Sequence, residues 1–314
     1  MENLKKNISF EEIEKKYDPQ LSFRKLGPKL DIIIITLLAS MSVYHFWASG
    51  FGLVREVLHR GIHISYVIGL VFILFGWKKT NDKIKKNKFN FLNFQDVNLL
   101  DYFFALLAIS SALYLPLLPP EILAQRVGNP ETIDVFMGSI LIVLTLEAAR
   151  RSVGPTLPII SIIFILFAIF GPYAPGALKH GGTSWLGFVN HIYITNQGVY
   201  GIAVGVMAQY VFLFILFGIL ATRVGLGKLF IDLSMLIAGK FSGGPAKVAI
   251  FSSAFMGTIS GSSIANTVTT GSLTIPAMKK VGYPSHFSGA VEAASSTGGQ
   301  ITPPILGAAA FIMV

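Results

Sequence analysis

Long apolar runs alternate with short charged stretches along this chain, and a membrane-spanning helix needs about 20 mostly apolar residues. Residues 30–51 form the first such run, and a polar connection holding Arg55, Glu56, His59 and Arg60 follows it. Residues 62–77 form a second run that ends at Trp77. Lys78, Lys79, Lys83, Lys85, Lys86 and Lys88 crowd the next connection. Lys and Arg accumulate on the cytoplasmic side of membrane proteins, so this loop is expected inside. A third span, 99–118, closes at Pro116, Pro119 and Pro120, and the net acidic stretch 121–134 reads as external. A fourth span, 133–149, ends at Arg150 and Arg151, again inside.

Gly154, Pro155 and Pro158 then punctuate the pattern, and a domain boundary is expected there. A fifth span, 157–170, runs out into a Gly/Pro-rich exit at 171–176. Residues 177–200, with His180, Trp185, His191 and Tyr193, read as an external loop carrying an interfacial helix. The sixth span, 199–222, carries Gln209, expected to bond across helices, and returns inside at Arg223 and Lys228. In 226–240, Leu229, Phe230, Leu233 and Leu236 oppose Lys228, Asp232 and Lys240, which suits a helix lying in the membrane interface.

Residues 249–278 are apolar but bounded by Lys240 and Lys247 at one end and by Lys279 and Lys280 at the other. A single crossing would put one basic end outside, against the charge rule. A re-entrant helical hairpin resolves this, turning near Gly261 to Asn266; one span with a Gly-rich kink is the plainer alternative. A half-helix from 285 to 296 follows, broken by Gly298, Gly299, Pro303 and Pro304, with 305–314 apolar again. In lipid every backbone polar group needs a partner, so interrupted backbone survives only where buried or facing a watery site.

Composition narrows the class. The chain is 53% hydrophobic and 13% charged, with a mean hydropathy of +0.64; soluble domains carry about 25% charged residues. An all-α polytopic membrane bundle follows. The net charge of +9 sits mainly in the inter-span clusters, which suits topology and anionic lipid contact and not nucleic acid. No cysteine is present, which excludes disulfides, thiolate metal sites and cysteine nucleophiles. The first 29 residues, acidic as well as basic, read as a cytoplasmic arm with a short amphipathic helix near 10–17.

Two oxygen-rich breaks carry the candidate chemistry. Ser262, Ser263, Asn266 and Thr267 lie at the first, and Thr297, Gly298, Gly299, Gln300 and Thr302 at the second. Hydroxyl and amide oxygens, with carbonyls freed by unwound helix, suit a hard monovalent cation, and a helix N-terminus favours a substrate carboxylate. The competing reading is interhelical packing by small residues, and it is preferred for Ser252, Ser253, Thr269, Thr270 and Ser272. Glu292 has two readings, a functional buried acid or a partner of Lys279 or Lys280. Glu147 is expected to pair with Arg150 and Arg151. His45, His59, His63, His180 and His191 lack metal-ligand spacing and are expected at surfaces or interfaces. No nucleophile–base pattern or phosphate loop appears, so neither enzyme nor ATP-driven pump is supported.

The words GTISGSSIANTVTTGSLTIPAMKKVGYP and AVEAASSTGGQITPPILGAAAFIM resemble the large membrane subunit of tripartite ATP-independent periplasmic (TRAP) transporters. The preceding four-span unit resembles, by architecture, the small subunit of that family fused to the large one, an arrangement that goes with TAXI-type solute receptors. The resemblance implies three parts: an arm at 1–29, a small-subunit-like scaffold at 30–154, and the N-terminal half of a large-subunit-like transport domain at 155–314. It further implies an elevator-type secondary transporter in the bacterial or archaeal cytoplasmic membrane, with its N-terminus inside. A cation, usually sodium, would drive uptake of a small organic anion delivered by a periplasmic receptor, with no other cofactor. The family's large subunit carries a second inverted half, so this chain is expected to be truncated or split, with that half on a separate chain. The rival expectation is a non-transporting membrane scaffold.

Overall fold

The computed structural model describes residues 23–24, 26–52, 54–77, 93–94, 97–303, 305–306 and 310. The helix expected near 10–17, the basic cluster at 78–88, Pro304 and nearly all of the apolar run after it lie outside the described residues.

The first elements are helices α1 (Pro28–Phe51) and α2 (Glu56–Leu74). Strands β1 (Asn93–Phe94) and β2 (Val97–Asn98) form a minimal antiparallel pair with Phe94 opposite Val97. Helices α3 (Leu99–Leu117), α4 (Pro120–Arg126), α5 (Thr132–Ser152) and α6 (Thr156–Ile169) follow. A short α7 (Trp185–Val189) continues into a π-helical turn, Asn190–Ile194. Then come α8 (Ile202–Arg223), with a π-helical turn at Met207–Val211, and α9 (Leu226–Ala238). Helices α10 (Gly244–Gly257), α11 (Ser263–Lys280) and α12 (Ser285–Thr297) complete the order. Helices α1, α2, α3, α5 and α8 are long and apolar enough to cross a membrane, and α6 is apolar but shorter. The chain is an all-α, multi-pass integral membrane protein.

The described residues up to Gly205 form one compact unit and those from Val206 on form a second. In the first, α3 presents Ala105, Ala108 and Ala112 to α2 and α5; these recur at helical spacing on one face, and their small size lets the helices approach closely. Phe72, Leu115 and Leu141 fill the space around them. Asn98 caps α3 by accepting from the Leu100 amide at 2.9 Å, and Glu131 with Asp134 forms a reciprocal cap on α5.

Two ion networks tie α3 to α5. At one end Asp101 accepts from Arg24 at 2.9 Å and from Arg151 at 2.7 Å, while Glu147 accepts from Arg150 and Arg151 at 2.7 Å each. The Arg151 guanidinium also lies over the rings of Phe72 and Trp77. Glu147 is thus a structural partner, as its spacing implied. At the other end the buried Asp134 accepts from Tyr114 at 2.9 Å and from Arg126 at 3.0 Å.

Three expectations about this unit need correction. Glu56, His59 and Arg60 belong to the first turns of α2, not to a connection. They fit there because the bundle supplies partners: Arg60 donates to the Tyr200 carbonyl at 2.6 Å and pairs with Glu56, and His59 Nδ1 meets the Tyr44 hydroxyl at 3.0 Å. His45, His59 and His63 are buried together, not at a surface, with His45 Nε2 2.9 Å from His63 Nδ1. The stretch 177–200 is no simple external loop. Val189, Tyr193, Ile194 and Tyr200 enter the core, where Tyr193 donates to the Ser111 carbonyl at 2.7 Å and Tyr200 to that of Ala112 at 2.8 Å. Burial pushes the Tyr193 phenol above its ordinary pKa.

In the second unit α9 lies along α10 through Gly227, Ile231, Ser234 and Ala238, while Leu229 and Leu236 point outward. That outward apolar face fits contact with lipid. Gln209 sits in the π-helical turn of α8 and makes no hydrogen bond across helices among the described residues.

Candidate cation and substrate site

Helices α10 and α11 form a helical hairpin, joined by the turn 258–262, and both pack against α12. The backbone is interrupted at both places the sequence indicated, with one refinement at each. Ser263, Asn266 and Thr267 are already helical, because the Ser262 side chain caps α11 by accepting from the Ala265 amide at 3.3 Å. At the second break α12 ends at Thr297, and a 3₁₀ turn, Gly298–Gln300, leads into irregular chain at Ile301 to Pro303.

The two breaks meet. Gln300 Nε2 donates to Ser263 Oγ at 3.1 Å. Asn266 is fully buried, and its amide donates to the Ser253 carbonyl of α10 at 2.9 Å. Backbone touches backbone at two glycines: a Cβ on Gly257 would lie 2.7 Å from Gly299 Cα and 3.2 Å from Thr302 Oγ1. A Cβ on Gly299 would lie 2.9 Å from Asn266 Nδ2. Only residues without side chains fit this crossing. Thr302 Oγ1 donates to the Gly298 carbonyl at 2.8 Å, holding the loop after the break.

The candidate residues do not all stand alike. Ser263, Asn266, Gly299, Gln300 and Thr302 are at the crossing. Thr267 and Thr297 bond back to their own helices, to the carbonyls of Ser263 and Ala293 at 2.8 Å each. Gly298 is half-buried, with open space where a side chain would be. Ser262 is exposed at the α11 N-terminus. Hydroxyls and carbonyls at interrupted backbone are of the kind that can hold a small cation, and a helix N-terminus is of the kind that can hold an anionic group.

A second polar cluster was not legible as a unit. Glu292, at 0% exposure, does not pair with Lys279 or Lys280, and no ion pair among the described residues reaches it. Its carboxylate instead accepts from Thr270, from Thr274 at 2.5 Å, from Ser296 at 3.1 Å and from Ser253 at 3.3 Å. Ser253 and Thr270, expected to serve in packing, are hydrogen-bond donors to this carboxylate. The available signal was spacing: Thr270 and Thr274, like Glu292 and Ser296, are four apart and share a helix face. A cleft of about 780 Å³ opens between α9, α10 and α11, largely apolar, with Lys228, Asp232, Val248 and Thr274 among its walls.

Comparison with known proteins follows the same residues. A protein named as a TRAP transporter large permease in Haemophilus influenzae is 38% identical over 91 residues, 29% of this chain and 21% of that one. The isethionate TRAP transporter permease protein DctMQ of Oleidesulfovibrio alaskensis is also 38% identical over 91 residues, 14% of its length. The C4-dicarboxylate TRAP transporter large permease protein DctM of Rhodobacter capsulatus is 34% identical over 91 residues, 21% of its length. The chain thus spans about a fifth or less of the curated relatives it matches. No solved structure matches. Residues 140–314, more than half of the chain, match the family described as the tripartite ATP-independent periplasmic transporter, DctM component, and the chain belongs to that family.

Proposed function

We propose that the chain is permease machinery of a cation-coupled importer of a small organic anion that a periplasmic receptor hands over. The observation that carries this reading is the crossing of the two interrupted segments, where Ser263, Asn266, Gly299, Gln300 and Thr302 converge. Oxygen atoms gathered at unwound backbone can replace the water around a small cation, and sodium is the cation proposed here. Relatives carry isethionate, C4-dicarboxylate and 2,3-diketo-L-gulonate in their names, all organic anions, which supports that substrate class. In this proposal residues 30–154 act as a scaffold of the small-subunit kind, the hairpin and α12 move in an elevator step, and the receptor is of the TAXI type. The basic inter-span clusters support a cytoplasmic N-terminus.

The test is uptake into proteoliposomes that contain the complete permease, any complementary half included, together with its receptor. A sodium gradient should drive accumulation, and Asn266→Ala and Gln300→Ala should each weaken its cation dependence while expression is kept. Uptake indifferent to both sodium and proton gradients would overturn the coupling, and unchanged cation dependence in both variants would overturn the site.

A further inference from the structure

We infer that Glu292 is a reversible proton-binding site, separate from the crossing of the two breaks. This deepens the coupling part of the proposed function and rests on it for its transport consequence. The observation is a carboxylate with no exposure, gripped by hydroxyls of three helices: Ser253 of α10, Thr270 and Thr274 of α11, and Ser296 of its own α12. Gly271 gives the side chain its place, since a Cβ there would lie 2.9 Å from Glu292 Cγ.

Every neighbour can both donate and accept, and this makes the site two-state. In the ionised form the hydroxyl hydrogens turn toward the carboxylate. When a proton adds to Oε2, the negative charge is lost and the new O–H donates to Thr274 Oγ1. The Thr274 hydrogen then turns to the Thr270 carbonyl, 3.0 Å away, while Thr270 and Ser296 go on donating to Oε1. Both forms keep their hydrogen bonds without movement of a heavy atom. The oxygen–oxygen separations around Glu292 are hydrogen-bond lengths, which hold a hydrogen between two oxygens; a metal ion would need those oxygens splayed around it.

Of the charged groups on the packed elements, Lys228 and Asp232 of α9 line the same cleft as Thr274. Lys247, near the start of α10, lies over the Phe241 ring. Lys279 and Lys280 are exposed at the end of α11, and His286 is exposed in the first turn of α12. No ion pair among the described residues reaches Glu292. Thr274 also lines the cleft between α9 and α11. Hydrogen bonds to the ionised carboxylate are stronger than those to the neutral acid, so proton occupancy biases how tightly the hairpin is held to α12.

The experiment is an infrared difference titration of the purified full chain in lipid nanodiscs. The expected result is a protonated-carboxyl carbonyl band that comes and goes with pH, is absent from Glu292→Gln, and has its midpoint displaced in Thr274→Val and Ser296→Ala. Circular dichroism checks the fold of each variant, and the two hydroxyl variants keep the test decisive if Glu292→Gln does not fold. A band unchanged in all three variants, or no titrating band in the wild type, overturns the proposal. So does a midpoint that tracks sodium concentration, because the site would then take the metal ion. In the reconstituted uptake assay, Glu292→Gln should lose the response to a proton gradient. If the wild type shows no uptake while the infrared band titrates, the proposed function fails and the proton site stands.

Discussion

Gly257→Ala probes the crossing directly. The new methyl carbon would sit 2.7 Å from Gly299 Cα and 3.2 Å from Thr302 Cβ, where carbon atoms settle at about 3.5–4.0 Å. The obstacle on one side is backbone, so rotamer changes cannot relieve it, and the turn and the break must part by roughly an ångström. Overpacking of this kind costs about 1–3 kcal/mol. A bias of that size multiplies the population of the opened crossing by about 5–150-fold. Amide hydrogen exchange reads that population at the protected amides on either side, Asn266, bonded to the Ser262 carbonyl, and Ile301, bonded to that of Gly298. Their exchange should accelerate by the same factor, while peptides from α3 and α5 exchange as in the wild type. Gly298→Ala is the internal control: a Cβ there meets nothing within 4 Å, so exchange should not change. Equal rates in Gly257→Ala and the wild type would refute the glycine crossing.

Other outcomes follow from the same contacts. Asn266→Ala removes the side-chain donor that the Ser253 carbonyl takes beyond its place in α10 and should lower stability by about 0.5–1.5 kcal/mol, read as faster exchange across α10; an unchanged rate would refute that bond. Ser262→Ala removes the cap of α11 and should cost about 0.5–2 kcal/mol, seen as loss of protection at Ala265 and little elsewhere. Asp101→Leu leaves the fully buried Arg151 guanidinium without one of its two acids. It should destabilise the first unit by about 3–5 kcal/mol in thermal melts followed by circular dichroism, and a wild-type melt would contradict the network.

The spans were legible because lipid demands long apolar runs, and α1, α3, α5 and α8 lie where the hydropathy pattern put them. The breaks were legible for a related reason: glycine, proline and small hydroxyl residues crowd two places where an uninterrupted helix would be expected. What the sequence hid was partnership at a distance. Arg60 at the start of α2 looked like part of a connection because its acceptor, the Tyr200 carbonyl, lies 140 residues away. Tyr193 and Tyr200 looked like loop residues because the carbonyls that receive their hydroxyls belong to α3. Glu292 invited pairing with nearby lysines, yet its neighbours come from α10 and α11 and carry no charge. One-dimensional pattern reports how a segment meets lipid or water, and it is silent about which buried polar groups find each other.

The two ion networks on α3 have a mechanical consequence. Asp101 and Tyr114 are 13 residues apart, about 20 Å along the helix, and each is fastened to α5. A helix pinned at one end can swivel; pinned at both, its axial register is locked, because sliding by one turn, about 5.4 Å, would tear open both fastenings at once. The first unit is thus built to bear load as a single block. The stretch after Val206 is stitched instead through glycine contacts and through hydroxyls around the buried Glu292, with no ion pair among its described residues.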